Sequence, residues 1–307
     1  MAAMKLLNYL PRKLAKREKV RFNFYDKLKI ARKAPTKLGK IMKNLQLFIS
    51  ILVCAFLTAC GNTKLLYVAD SDIHTVSDDG SGGRSIGVTA LGGTGASWRP
   101  GRNEIVYVDE KTTSCDITQR ELFTVNSNGG GKSSLTQGRC AAPLDSCAIV
   151  DPDVNAQGEI VAIHEFAGSN CETTQHTIIT MSPSGTNLTV VSGVPTSGQP
   201  DEPHWSPDGN SIVFEHSGNI FTIPASGGSV CQVTSGGGAK NPVWGVLQGK
   251  STIAYIKNGD VHLATDSGTC NYTSNQLRTP ENETRATWVT STLAVVRDSG
   301  SGSSLLL

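Results

Sequence analysis

Short apolar runs separated by Gly, Ser and Thr recur from residue 64 to the end of the chain. The clearest unit spans residues 199–234. Its predicted strands end at Trp205 and span Ser211–Glu215, Asn219–Pro224 and Val230–Thr234. Ser206-Pro207-Asp208-Gly209 has Pro and Gly where a type I turn favours them. No segment after residue 61 keeps an apolar period of 3.6 residues, so the pattern predicts antiparallel strands rather than helices.

Similar units recur along the chain, each marked by an anchor residue in its first strand. The anchors are Trp98, Val154, Trp205, Trp244 and Trp288, spaced by 56, 51, 39 and 44 residues. Residues 65–90 predict a further unit without the first strand. Four strands in a period of roughly 40–45 residues are typical of an all-β fold, the β-propeller, whose thin sheets must stack on one another. We predict six blades, with five as the alternative, and expect the tryptophans to pack in the seams between blades.

A candidate export signal precedes the repeats, at residues 42–60. Lys43 follows Met42, and an apolar stretch runs from Leu45 to Ala59. The stretch is short for a membrane span and ends in small residues, as secretory signals do. Leu57-Thr58-Ala59-Cys60 resembles a bacterial lipobox, which implies lipid attachment at Cys60 and, with Gly61 next, an outer-membrane protein facing the periplasm. The alternative is an uncut signal anchor.

Charge divides the chain into two unlike parts. Residues 1–60 carry 14 Lys and Arg against two acids, whereas residues 61–307 carry 14 against 24. Residues 1–41 are either a basic extension, helical on acidic lipid or disordered, or an upstream stretch if translation begins at Met42. The negative charge of residues 61–307 disfavours nucleic acid as a partner, because phosphate binding needs clustered positive charge. We therefore assign the propeller to residues 61–307.

Six cysteines remain outside the export signal, and export permits disulfides. They are Cys115, Cys140, Cys147, Cys171, Cys231 and Cys270. Six cysteines allow 15 pairings, and the sequence alone does not choose among them. Placing the connections on blade faces suggests Cys115–Cys140, Cys147–Cys171 and Cys231–Cys270 as candidates. None has zinc-ligand spacing, so we expect no metal.

Aligning the units on their anchors places charged residues where the inner strands begin. These residues are Asp151, Asp153, Asp201, Glu202 and His204, with Arg285 as a counter-charge. They predict an acidic funnel that binds a basic or cationic group. The alternative is that they are solvated loop charges without a ligand.

The unit at 199–234 also resembles a known repeat. Trp205-Ser206-Pro207-Asp208-Gly209, with Ile212-Val213-Phe214 and the Gly227-Gly228 turn, is similar to the WD40-like repeat of the TolB-type propeller family. The resemblance covers nearly all of residues 64–307, although other units are degenerate: Val154 replaces Trp, and Gly245–Gly249 replaces the Pro-Asp-Gly turn. It implies six blades. The α/β domain that precedes the propeller of TolB is not expected, because the repeat starts close to Cys60.

These features together predict a non-catalytic, lipid-anchored envelope protein that docks another protein and needs no cofactor. The resemblance implies envelope partners such as the peptidoglycan-associated lipoprotein. The alternative is a carbohydrate or small-ligand binder, or a lyase-type enzyme, that uses the central channel. Some related propellers are lyases with a histidine-bound metal, but of the six histidines only His204 is expected near the axis.

Overall fold

The computed structural model describes most of the chain after residue 63. The described residues are 64–69, 72–77, 82–90, 95–101, 103–112, 118–136, 147–167, 174–268, 270–277, 283–289, 292–298 and 303–306. The predicted basic extension, the export signal and Cys60 lie outside them. No helix within these ranges is long and apolar enough to cross a membrane.

The described strands form six antiparallel sheets in chain order. Sheet I has β1 (Lys64–Ala69), β2 (Asp72–Ser77) and β3 (Arg84–Thr89). Sheet II has β4 (Ala96–Trp98), β5 (Glu104–Thr112), β6 (Thr118–Asn126) and β7 (Ser133–Ser134). Sheet III has β8 (Cys147–Val154), β9 (Ile160–Ala167), β10 (Thr174–Met181) and β11 (Thr189–Val190).

The second half of the chain repeats the pattern. Sheet IV has β12 (Pro200–Trp205), β13 (Ser211–His216), β14 (Asn219–Pro224) and β15 (Cys231–Gln232). Sheet V has β16 (Ala239–Leu247), β17 (Lys250–Lys257), β18 (Asp260–Asp266) and β19 (Tyr272–Leu277). Sheet VI has β20 (Glu283–Val289), β21 (Thr292–Asp298) and β22 (Ser303–Leu306).

Each sheet is a meander in which every strand pairs with the next, and each sheet packs on its successor. The first strands β4, β8, β12, β16 and β20 touch one another from sheet to sheet, which places them on the inside of the arrangement. The fold is therefore a β-propeller, as the repeat predicted. Sheets I and VI each have three described strands, and the number of blades in the ring, six or five, stays a prediction.

Apolar side chains of the middle strands fill the seams between sheets. The largest cluster joins sheets II to IV and includes Trp205, which is 6% exposed. Trp288 covers Gly245 of the preceding sheet so closely that a Cβ there would lie 2.3 Å from the indole. Trp244 and Trp288 are each only partly buried, and Trp244 packs against the cluster that contains Val213 and Ile253.

Four of the inner strands contain a β-bulge. The register shifts between Val150 and Asp153, Asp201 and His204, Lys240 and Val243, and Glu283 and Arg285. In three of these bulges the residue before a proline is left-handed: Asp151 (φ 51°), Glu202 (φ 46°) and Asn241 (φ 52°). Such backbone is uncommon for residues other than Gly, and bulges re-aim side chains beside functional sites.

One disulfide joins two sheets. Cys231 of β15 is bonded to Cys270, which precedes β19, and their Cα atoms are 5.5 Å apart. This is one of the three pairings that the sequence suggested. The side chains of the other four cysteines lie outside the described residues, so their pairings stay predictions.

Candidate functional site

The six residues predicted for the acidic funnel belong to one connected group at the inner strands. Strand β8 contributes Asp151 and Asp153, β12 contributes Asp201, Glu202 and His204, and β20 contributes Arg285. The bulges of β8 and β12 lie within this group, so the same backbone feature presents side chains from both strands. We keep the name acidic funnel for these six residues.

Asp153 of sheet III contacts residues of both neighbouring sheets, II and IV. It accepts hydrogen bonds from the Ser97 hydroxyl (3.0 Å) and the Trp205 amide (2.9 Å), and one of its oxygens lies 3.4 Å from Nδ1 of His204. Burial opposes ionisation of Asp153, but the charge of His204 and these hydrogen bonds outweigh burial and lower its pKa. Burial likewise opposes protonation of His204, but Asp153 outweighs it and raises the pKa of the imidazole. The pair therefore favours the ionic form at neutral pH.

Asp151 and Asp201 form a second pair, in which the Asp201 carboxyl disfavours ionisation of Asp151. The Gly95 amide also donates to Oδ1 of Asp151, at 3.3 Å. Burial, and then the negative charges of Asp201 and Glu202, raise the pKa of Asp151 to about 7.

Glu202 and Arg285 connect sheets IV and VI across the inner strand of sheet V. Their side chains approach to 3.5 Å, with the Glu202 side chain 17% exposed and that of Arg285 56% exposed. Burial raises the pKa of Glu202 despite the opposing charges of Arg285 and His204. Arg285 is thus a solvent-facing cation above a mostly covered carboxylate.

Glu215 of β13 and Asn241 of β16 extend the group, and the sequence analysis did not select them. Glu215 stands opposite Asp201 in the β12–β13 register, and burial together with Glu202 and Asp201 raises its pKa to about 7. Asn241 Nδ2 donates to the Thr284 carbonyl at 2.6 Å. Asn241 shares its position before the anchor with Asp151 and Glu202, which was the signal for it. Glu215 could be recognised only after strand pairing placed it opposite Asp201.

The group can attract a cation, because its four acidic residues face only one imidazole and one guanidinium from the funnel itself. Within the described ranges, no three His, Cys, Asp or Glu side chains are arranged to hold a metal ion.

Comparison with known proteins bears on the fold. No family model matches the chain, and no curated protein matches it either. A gluconolactonase from Xanthomonas campestris is similar in structure, with a TM-score of 0.55 and 12% identity over 76% of this chain and 78% of that one. An oligogalacturonate lyase in complex with manganese has a TM-score of 0.51 and 13% identity over 77% and 67%. A putative TolB from Agrobacterium tumefaciens has a TM-score of 0.49 and 13% identity over 70% and 76%.

Proposed function

We propose that this chain is a non-catalytic, lipid-anchored β-propeller of the bacterial cell envelope that docks a partner protein through the acidic funnel. The observation that supports the docking site is the convergence of Asp151, Asp201 and Glu202 from two inner strands. Left-handed bulge residues hold two of these side chains, so the group is built into the backbone. The rigid propeller presents it without rearrangement.

The partner is a protein that inserts a Lys or Arg side chain. Asp201 is exposed and Glu202 is already paired with the exposed Arg285, so an incoming cation competes with that arginine for the same carboxylate. Competition of this kind is electrostatic and weakens with salt.

Photo-crosslinking in cells tests the docking site. A photoreactive residue at Asp201 of the full-length protein should capture one envelope protein, whereas the same residue at Thr189, exposed on the outer strand β11, should not. The yield should fall in high salt and with Glu202→Gln, which removes a charge at nearly constant shape. Equal capture from both positions, or capture that ignores salt and Glu202→Gln, contradicts the proposal.

Lipid anchoring is tested separately by labelling cells with radioactive palmitate. The full-length protein should carry the label, and Cys60→Ser should not. Equal labelling of wild type and Cys60→Ser contradicts lipid attachment at Cys60. The docking site is still tested by the crosslinking experiment.

The alternative function, an enzyme or ligand binder that uses the channel, has its own readout. The docking proposal is contradicted if the purified protein turns over a polysaccharide and position 201 gives no crosslink. That pair of results would support the enzyme alternative.

A further inference from the structure

A second concave site lies where sheet V departs from the repeat. In sheet IV, β12 ends at Trp205 and the turn Ser206–Gly209 follows. In sheet V, β16 continues past Trp244 to Leu247 and turns back at Gln248 and Gly249, whose φ values of 50° and 78° suit a tight two-residue hairpin. The longer hairpin and the turn of sheet IV both line a cavity of about 580 Å³.

A neighbouring cavity of about 520 Å³ extends this space along sheet V. Both cavities are lined by Ser251 and Asp266, so they meet there and form one cleft. We call it the sheet V cleft, and its principal lining residues are Asp208, Trp244, Lys250, Ser251, Asp266 and Tyr272. Each cavity is within the size range of small-molecule sites, about 300–1,000 Å³.

Two aromatic side chains give the cleft an apolar surface. Trp244 and Tyr272 pack against a core cluster that contains Val213 and Ile253, and they also line the cleft. The Trp244 indole N–H donates to the Ser251 hydroxyl at 2.7 Å, which fixes the orientation of the ring. An aromatic ring that is half in the core and half in the cleft offers an oriented stacking surface.

The rest of the lining is polar and rich in hydroxyls. Asp208 and Asp266 supply carboxylates, Ser and Thr side chains supply hydroxyls, and Lys250 and Asn275 add donors. Two carboxylates disfavour a phosphate or another anion, and a fully apolar ligand would leave these polar groups without water or a partner. The lining therefore suits a neutral ligand that has both hydroxyls and an apolar face.

The two sheets that form the cleft are fastened together. The disulfide Cys231–Cys270 crosses from sheet IV to sheet V, and the hydroxyls of Thr222 and Tyr272 approach to 3.3 Å across the same seam. These links hold the walls in place before a ligand arrives, which reduces the entropy lost on binding.

We propose that the sheet V cleft binds a neutral oligosaccharide, with Trp244 stacking on a sugar ring while Asp266 and the hydroxyls bind its hydroxyl groups. A pyranose ring combines an apolar C–H face with a rim of hydroxyls, which is the combination that this lining complements. The site is separate from the acidic funnel, because it lies at the turn that ends β12, whereas Asp201 and Glu202 lie near the start of that strand. It does not depend on the proposed docking function.

Calorimetric titration of the full chain with cellotetraose and with chitotetraose tests the proposal. We expect wild type to bind at least one of them and Trp244→Leu, which keeps apolar packing, to bind about tenfold more weakly. Asp266→Asn should also weaken binding. Its matched control is Asp260→Asn at the other end of β18, where the carboxylate accepts from Gln276 outside the cleft and binding should not change.

Three outcomes overturn the site. They are no binding of either sugar to folded wild type, equal binding by Trp244→Leu, and an equal loss in Asp266→Asn and Asp260→Asn. Circular dichroism checks the fold of each variant. If Trp244→Leu does not fold, the comparison of the two Asp variants decides alone, since both replace a carboxylate by an isosteric amide.

Discussion

Asp151 and Asp201, on the inner strands of sheets III and IV, are placed so that the Asp201 carboxyl raises the pKa of Asp151. This arrangement brings two carboxyl groups near each other, and protonation of Asp151 relieves the repulsion between them. It places a group that titrates near neutral pH in the seam between two sheets, and stability should depend on pH because of it.

Asp151→Asn should remove most of that dependence. The folded pKa of Asp151 is about 7, above the value near 4 in an unfolded chain, so its contribution to stability is full below about pH 4 and is lost as pH rises to about 7. The variant cannot ionise and keeps an acceptor for the Gly95 amide. Relative to wild type, it should gain about 1–3 kcal/mol of unfolding free energy between pH 5 and 8. Denaturant titrations at pH 5 and pH 8 measure the unfolding free energies of both proteins. A difference between variant and wild type that is the same at the two pH values contradicts the prediction.

Asp153→Asn should lower the pKa of His204. Burial alone disfavours the imidazolium, and the Asp153 charge is the main influence that raises the pKa. A raised histidine pKa adds stability at low pH that is lost as pH rises through it, so the variant should also lose this acidic stabilisation. Imidazole chemical shifts measure the titration. His262 on β18, whose pKa is lowered mainly by burial, is the control and should not move.

Gly245→Ala should destabilise the protein through Trp288. The added methyl group would lie 2.3 Å from the indole, and overpacking of this kind costs about 1–3 kcal/mol. In a Trp288→Leu background the same substitution should cost much less. Gly249→Ala is the control: it meets no atom within 4 Å, but its φ of 78° costs about 1–2 kcal/mol whichever residue is at 288. Additive free energies for Gly245→Ala and Trp288→Leu would contradict the contact.

Replacing both Cys231 and Cys270 by Ser should lower the free energy of unfolding by about 4 kcal/mol, because the bond closes a loop of 39 residues in the unfolded chain. Reductant should lower the stability of wild type by more than that of the double variant. An equal response to reductant in the two proteins would place the stabilising bond at other cysteines.

Much of the fold could be predicted from the repeat. Strand β14 occupies Asn219–Pro224, as the pattern predicted, and the strands of sheet I lie where a further unit was predicted at residues 65–90. Turn residues and alternating apolar positions act locally, so they fix strand limits without tertiary information. The fourth strands were less predictable: Val230–Thr234 was expected, but β15 pairs only at Cys231–Gln232, because an outer strand has few partners that define its ends.

The sequence by itself determined that four-stranded units repeat and that Asp151 and Glu202 occupy equivalent positions before their anchors, since spacing along the chain encodes both. Only the tertiary structure decided that Asp201 raises the pKa of Asp151, that Glu215 lies opposite Asp201, and that Trp244 lines a cleft rather than a closed seam. These relationships join residues of different strands and sheets. They depend on bulges and on how each sheet is set against the next, which no pattern along a single strand records.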